Sequence, residues 1–302
     1  AMFLAMPAAM RIWSATDSKT ACPISICNGR NWLLDYAKTH DLKAVPETQK
    51  PAPNGETVVS AQELWFKYEK DLPDVVKDLS LELHKGEFLA LLGGNGTGKT
   101  TTLKSMLHLV HPDAGKITIC ALDMDTDERA IRSRIGFVSG GASYYQRKRL
   151  RELTNVTKDF YPDWDSERYA RLVRQFSLDE SKRVCELSEG MKVKYQLAVA
   201  MSHKAELLIL DEPTSGLDPV SRDELLDTFL TLCEQEGVSI LFSTHITSDL
   251  DTCADTITYI QNGRVAVSEK KQALTGAYLS VQGPDAACGA ALFTRMQHEA
   301  AL

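Results

Sequence analysis

Long apolar runs are missing from this 302-residue sequence. Runs such as Phe88–Leu92 and residues 207–210 fall far short of the about 20 apolar residues that a bilayer-spanning helix needs, so the chain is not expected to cross a membrane unaided. The apolar start, residues 1–10, has no basic n-region, and a secretory leader is not expected there. Signals for cysteine pairing are missing too. The seven cysteines (Cys22, Cys27, Cys120, Cys185, Cys233, Cys253, Cys288) are odd in number, and none stands in a C-x-x-C pair. That points to reduced thiols of a cytosolic protein rather than to a zinc site or a disulfide framework. Positive charge is not in excess: 34 Lys+Arg face 41 Asp+Glu for a net charge of −7, so nucleic acid is not expected as the main partner. With 43% hydrophobic and 25% charged residues, the composition carries no signature of disorder. The sequence has no internal repeat, and its length fits two domains or one large α/β domain with attachments.

What is present begins after residue 56. The preceding stretch ends in Pro46, Pro51, Pro53, Asn54 and Gly55, a linker-like composition, and residues 1–56 read as an extension. From Thr57 short apolar strands alternate with helical patterns, the cue for α/β architecture. Residues 57–68, 79–83 and 87–92 read as strands, the last continuous and apolar as a buried strand should be. Residues 150–186 are helical and charged, with 168–176 the clearest helix. Residues 207–210 and 239–242 are again buried-strand runs. Residues 256–260 and 264–267 flank Asn262-Gly263, a two-residue hairpin signal.

Gly93-Gly94-Asn95-Gly96-Thr97-Gly98-Lys99-Thr100 matches G-x-x-x-x-G-K-[ST]. By composition, about one chain in a hundred of this length would match by chance. Here a buried-strand pattern runs into the loop and a helical pattern, beginning near Lys99, leaves it. Glycines let the backbone wrap a polyphosphate with its N–H groups turned inward. Lys99 supplies charge to the β- and γ-phosphates, Thr100 can ligate Mg²⁺, and the helix adds the positive end of its dipole. Further on, Asp211 and Glu212 follow an apolar run, at the strand end where open α/β sheets place ligands. By themselves they would pass for a polar turn before Pro213. Beside a phosphate loop, Asp211 reads as a Mg²⁺ ligand and Glu212 as the group that polarises the attacking water.

Leu187-Ser188-Glu189-Gly190-Met191, ahead of a helical stretch, resembles the signature of ATP-binding cassette (ABC) ATPases. Ser215-Gly216-Leu217-Asp218 is similar to that family's dimer-contact loop, and Ser243-Thr244-His245 to its switch histidine. Alone, the signature would be an ordinary helix N-cap and His245 an ordinary histidine. Together, and in this order, the motifs identify residues 57 to about 275 as such a cassette. The resemblance implies a P-loop NTPase fold with a mixed-sheet, RecA-like core and a helical subdomain at about 141–200, leaving 276–302 as a tail. It implies a head-to-tail dimer that sandwiches two ATP molecules with Mg²⁺. Each ATP touches the phosphate loop of one protomer, with Thr101 beside Thr100, and Ser188, Glu189 and Gly190 of the other. Asp218 sits at the contact, and His245 joins Glu212 in catalysis. Tyr68, with Phe66 as the alternative, takes the adenine by stacking. The implied partners are a second ATPase protomer and a separate membrane permease, which places the chain at the cytoplasmic face of the membrane.

One position departs from the family. Where Gln, or Glu in some exporter branches, usually follows a strand like that at residues 135–138, this chain has Gly140 and then Gly141. A side chain for positioning Mg²⁺-bound water is then missing, and Gln146 is the candidate to replace it. On this reading Gly140→Gln should raise turnover. Residues 1 to about 104 resemble energy-coupling-factor vitamin transporters, whereas the sequence from about Ser105, including Phe160-Tyr161-Pro162-Asp163-Trp164-Asp165, resembles multidrug and antibiotic exporters, so a chimeric origin stands open. Export is favoured. Vitamin or metal uptake, a weakly hydrolysing regulatory subunit and a soluble cassette of translation or DNA repair are the alternatives. The basic run from Gln146 to Arg151 is read as a solvated face or a permease contact rather than an RNA site.

Overall fold

The short apolar runs become the strands of two sheets. A computed structural model of the protein describes residues 55–140 and 145–277 together with Trp32. Most of the expected N-terminal extension, Gly141, and the tail from residue 278 lie outside the described residues. The first sheet is antiparallel and contains β1 (Thr57–Phe66), β2 (Val76–His84), β4 (Ala114–Ile119) and β5 (Leu122–Asp123) in the order β2-β1-β4-β5. The second contains β3 (Phe88–Leu92), β6 (Ile135–Ser139), β7 (Leu207–Asp211), β8 (Ser239–Thr244), β9 (Thr256–Gln261) and β10 (Arg264–Lys270). Its order is β10-β9-β3-β8-β7-β6, parallel except for β10, so the expected mixed sheet is observed.

The parallel strands are apolar on both faces because each face meets its own core. Alternation divides them residue by residue: Leu89, Leu91, Leu207, Ile209 and Leu241 point to the core shared with the antiparallel sheet. Phe88, Ala90, Leu208, Leu210, Ile240 and Phe242 point to the core under the helices. Helix α1 (Lys99–Met106) leaves β3 through the glycine-rich loop, and α2 (Met124–Arg134), capped by Asp123, leads to β6. Asn262 and Gly263 take φ values of 52° and 81°, as the turn between β9 and β10 requires.

Between β6 and β7 lies the expected helical region: α3 (Leu150–Thr157), α4 (Ser166–Gln175) and α5 (Glu189–Ser202). Asp165 caps α4 by accepting from Arg168 N, and this backbone bond is the main reason its carboxyl sits below the usual range. A buried hydroxyl cluster ties the three helices: Thr154 Oγ1 lies 2.8 Å from Tyr169 Oη and 3.1 Å from Tyr195 Oη. Burial pushes both phenols up, that of Tyr169 beyond the range in which it could ionise. Helices α6 (Pro219–Glu236), α7 (Thr247–Cys253) and α8 (Lys271–Ala277) complete the described chain. Among the described residues no helix is long and apolar enough to cross a membrane.

Candidate functional site

The site forms at the carboxyl ends of β3, β7 and β8, where each strand gives way to a polar loop. After β3 the chain must turn sharply into α1. Gly98, at the helix N-cap, has a φ of 100°, and a Cβ there would stand 2.8 Å from the Val75 carbonyl oxygen. No other residue fits that position without strain. Thr97 Oγ1 donates to Gly94 O at 2.9 Å and braces the loop from within. Lys99 is buried, its Nζ donating to Gly93 O and to Gly94 O at 2.9 Å, and standing 3.8 Å from Glu212 Oε1. Burial pushes the pKa of Lys99 down, while Glu212 and Asp211 pull it back up.

Asp211 and Glu212 arrive on β7. Asp211 Oδ1 accepts from Thr100 Oγ1 at 3.1 Å and from Ser243 Oγ at 2.7 Å. Glu212 N donates to Ser243 Oγ at 3.0 Å, and Glu212 itself is held at a φ of 46°, in the left-handed region. Such a backbone persists only where the surroundings enforce it. His245 Nδ1 lies 3.4 Å from Glu212 Oε2, so Glu212 sits between the lysine and the histidine. A cleft of about 390 Å³ runs from Glu212, Lys99 and Thr100 past Gly94, Asn95 and Gly96 to Tyr68; Asp211 and His245 do not line it. Tyr68 is 57% exposed, with its hydroxyl 3.2 Å from Thr101 Oγ1, whereas Phe66 is 7% exposed and packs into the core. Strand β1 stops at Phe66, two residues before the expected end, and the chain there turns Tyr68 toward the cleft. Phe66 is thereby removed as the alternative platform.

Ser188, Glu189, Gly190, Asp218 and Gln146 do not line this cleft. Ser188 caps α5, accepting from Met191 N at 3.2 Å, and Glu189 pairs with Lys192 at 2.6 Å. Asp218 caps α6, and hydrogen bonds from Ser221 are the main cause holding its carboxyl below the usual range. The two motifs are neighbours: a Cβ on Gly190 would lie 3.7 Å from Leu217 and from Ser221.

Two features escape sequence reasoning. Ser243 is read there only as part of a motif, yet it sits opposite Asp211 in the parallel register and orients both carboxylate residues. The second is how closely Gly140 packs against the strand end of β7. Gly140 N donates to Asp211 O at 3.0 Å, and a Cβ on Gly140 would stand 2.1 Å from the carbonyl oxygen of Glu212. Glycine is what lets this loop close onto the backbone of Glu212, and a larger residue would require the backbone there to shift.

Comparison with known proteins agrees with this geometry. The family described as ABC transporter matches residues 76–215. The ABC transporter ATP-binding protein NatA of Bacillus subtilis is 32% identical over 206 residues, 66% of this chain and 83% of that relative. The Nod factor export ATP-binding protein I of Burkholderia lata is 34% identical over 224 residues, 70% of this chain and 73% of that relative. A solved structure of an ATP-binding subunit of an ABC transporter superposes with a TM-score of 0.66 at 28% identity, covering 73% of this chain and 93% of that one. On these likenesses the chain belongs to the ATP-binding subunits of ABC transporters and is an ABC ATPase.

Proposed function

We propose that this chain hydrolyses ATP between two protomers to drive a separate membrane permease, in the direction of export. The placement of Glu212, with one carboxyl oxygen toward Lys99 and the other toward His245, is the observation that supports it most. Lys99 and the loop N–H groups of residues 94–98 bind the phosphates, and Tyr68 stacks on the adenine. Glu212 accepts the proton of the water that attacks the γ-phosphate, and His245 keeps the carboxyl group turned to it.

Thr100 and Asp211 fit a Mg²⁺ ion, since two hard oxygens, 3.1 Å apart, converge beside the phosphate loop. Among the described residues no cluster of three acidic, His or Cys side chains could hold a metal. Mg²⁺ bound there would take its remaining oxygens from the substrate's phosphates and water. When bound, Mg²⁺ neutralises charge on the β- and γ-phosphates.

Because the signature lies away from the cleft, a second protomer supplies it. Ser188 leaves the N-terminus of α5, a 14-residue helix, directed at the partner's nucleotide, with Glu189 and Gly190 in its first turn and Asp218 alongside. The permease takes an apolar groove of about 790 Å³ between β6 and the helices α3 and α5. Leu109, Tyr145, Val156 and Phe160 line it and are among the exposed large hydrophobic residues, which mark an interaction surface. A relative named for Nod factor export supports the export direction.

Glu212→Gln tests the site. Turnover should fall by about 10²–10⁴-fold while ATP binding persists, and the protein should accumulate as an ATP-bound dimer in size-exclusion chromatography. Parental turnover would reassign the base. Purification of the chain from solubilised membranes should bring a polytopic protein with it; recovery with ribosomes instead would overturn the permease assignment.

A further inference from the structure

Behind the hydrolytic end of the cleft lies a carboxyl group that the chemistry above leaves unused. Asp249, on α7, is fully buried. Its Oδ2 accepts from Thr214 Oγ1 at 2.7 Å and from Thr244 Oγ1 at 3.4 Å. Thr244 Oγ1 also accepts from Ile246 N at 3.0 Å, which folds the chain around His245. The other oxygen, Oδ1, stands 3.9 Å from Arg222 Nε, and neither atom has a hydrogen-bond partner among the described residues. Arg222 lies in the first turn of α6, and its backbone N–H donates to Asp218 O at 3.0 Å.

Three loops therefore meet on one side chain. Thr214 is two residues beyond Glu212, Thr244 precedes His245, and Arg222 is one turn beyond Asp218. A buried carboxyl group with one oxygen satisfied and the other facing an unpaired guanidinium nitrogen is costly to keep. It is also adjustable: a small shift of α6 would close the 3.9 Å gap to a bonded pair.

We propose that Asp249 is a positioning residue for hydrolysis. It holds the loops bearing Glu212 and His245 in register with the Asp218 loop, so that engagement of Asp218 by a second copy of this chain is transmitted to the hydrolytic groups. This rests on the roles given above to Glu212, His245 and Asp218.

Three variants of the full chain test it: Asp249→Asn, Thr214→Val and Arg222→Gln, each measured for steady-state ATPase, nucleotide affinity and thermal melting. Asp249→Asn should lower kcat by about tenfold to a hundredfold, the scale of a small misplacement of catalytic groups. KM for ATP should stay within about twofold, because the phosphate loop does not touch Asp249. Combining Asp249→Asn with Arg222→Gln should cost little more than the former alone, since both break one linkage. A folded Asp249→Asn protein with parental kcat, or one whose kcat and KM worsen together in step with its melting temperature, overturns the proposal. Should Asp249→Asn fail to fold, Thr214→Val removes a single hydroxyl and Arg222→Gln changes a partly exposed side chain. Parental kcat in both of those overturns it equally. Parental turnover in Glu212→Gln would instead strike at the identity of the base.

Discussion

The phosphate cleft, of about 390 Å³, and the apolar groove, of about 790 Å³, are built in contrasting ways. The cleft is made largely by one run of residues, from Gly94 to Thr101, and the polar groups in and beside it are already held: Lys99 by loop carbonyls, Asp211 by two hydroxyls, the Glu212 N–H by Ser243. The groove is made by side chains from distant elements and exposes Tyr145 at 72% and Phe160 at 75%. One hollow is arranged for chemistry before any ligand arrives; the other keeps unspent apolar surface that association would bury.

The two hollows have no lining residue in common, but hydrogen bonds link their surroundings. Gln196, on α5, lines the groove, and its amide accepts from Ser139 N at 3.1 Å and donates to Ser139 O at 3.2 Å. The next residue, Gly140, rests on the backbone of Asp211 and Glu212. Ser139 and Gly140 thus connect α5 to the backbone that carries Glu212.

The sharpest way to break the contrast is at Lys99. Lys99→Ala removes the buried charge from the cleft while leaving the groove untouched. Affinity for ATP should drop about a hundredfold, the scale of losing charge-assisted hydrogen bonds, and turnover should vanish. Titration with a fluorescent ATP analogue checks this, and unchanged affinity would remove the phosphate-loop assignment.

A somewhat smaller effect is expected at Gly140. Gly140→Gln forces a Cβ into the space of the Glu212 carbonyl oxygen, at 2.1 Å. Overpacking of this kind costs about 1–3 kcal/mol of stability. Turnover should fall, with KM for ATP little changed, because Glu212 is moved and Lys99 is not. A rise in turnover would restore the idea of an absent side chain, and steady-state kinetics beside a melting curve distinguishes the outcomes.

Why one hollow was legible in the sequence and the other was not follows from how they are assembled. Residues 93–100 and 211–212 declare themselves because a local run of residue types carries the chemistry, and the strands that deliver them are continuous and apolar. The hairpin at Asn262-Gly263 was visible for the same reason. Ser243 acts through the register of β7 against β8, and Asp249 gathers partners up to 35 residues away, so no local spacing reveals either. Gly140 misleads because a sequence shows that a side chain is missing but not that a carbonyl oxygen stands where it would go. The groove draws on residues from Leu107 to His203, and its apolar members look like core residues until the fold leaves them uncovered.

The smallest effect on hydrolysis sharpens the comparison most. Phe160 is 75% exposed, follows α3 in a short helical turn, and faces the groove without touching the cleft. Phe160→Asp should leave basal ATPase, ATP affinity and melting temperature near parental values, since an exposed substitution of this kind usually shifts stability by no more than about 0.5 kcal/mol. It should nevertheless abolish recovery of the polytopic partner from membranes, because a carboxylate placed in an apolar contact must be desolvated without a partner. Basal turnover that falls along with membrane recovery would mean that Phe160 supports the fold of the helical region. Intact recovery would mean that the permease docks elsewhere, and the groove would lose its assigned occupant while the cleft kept its chemistry.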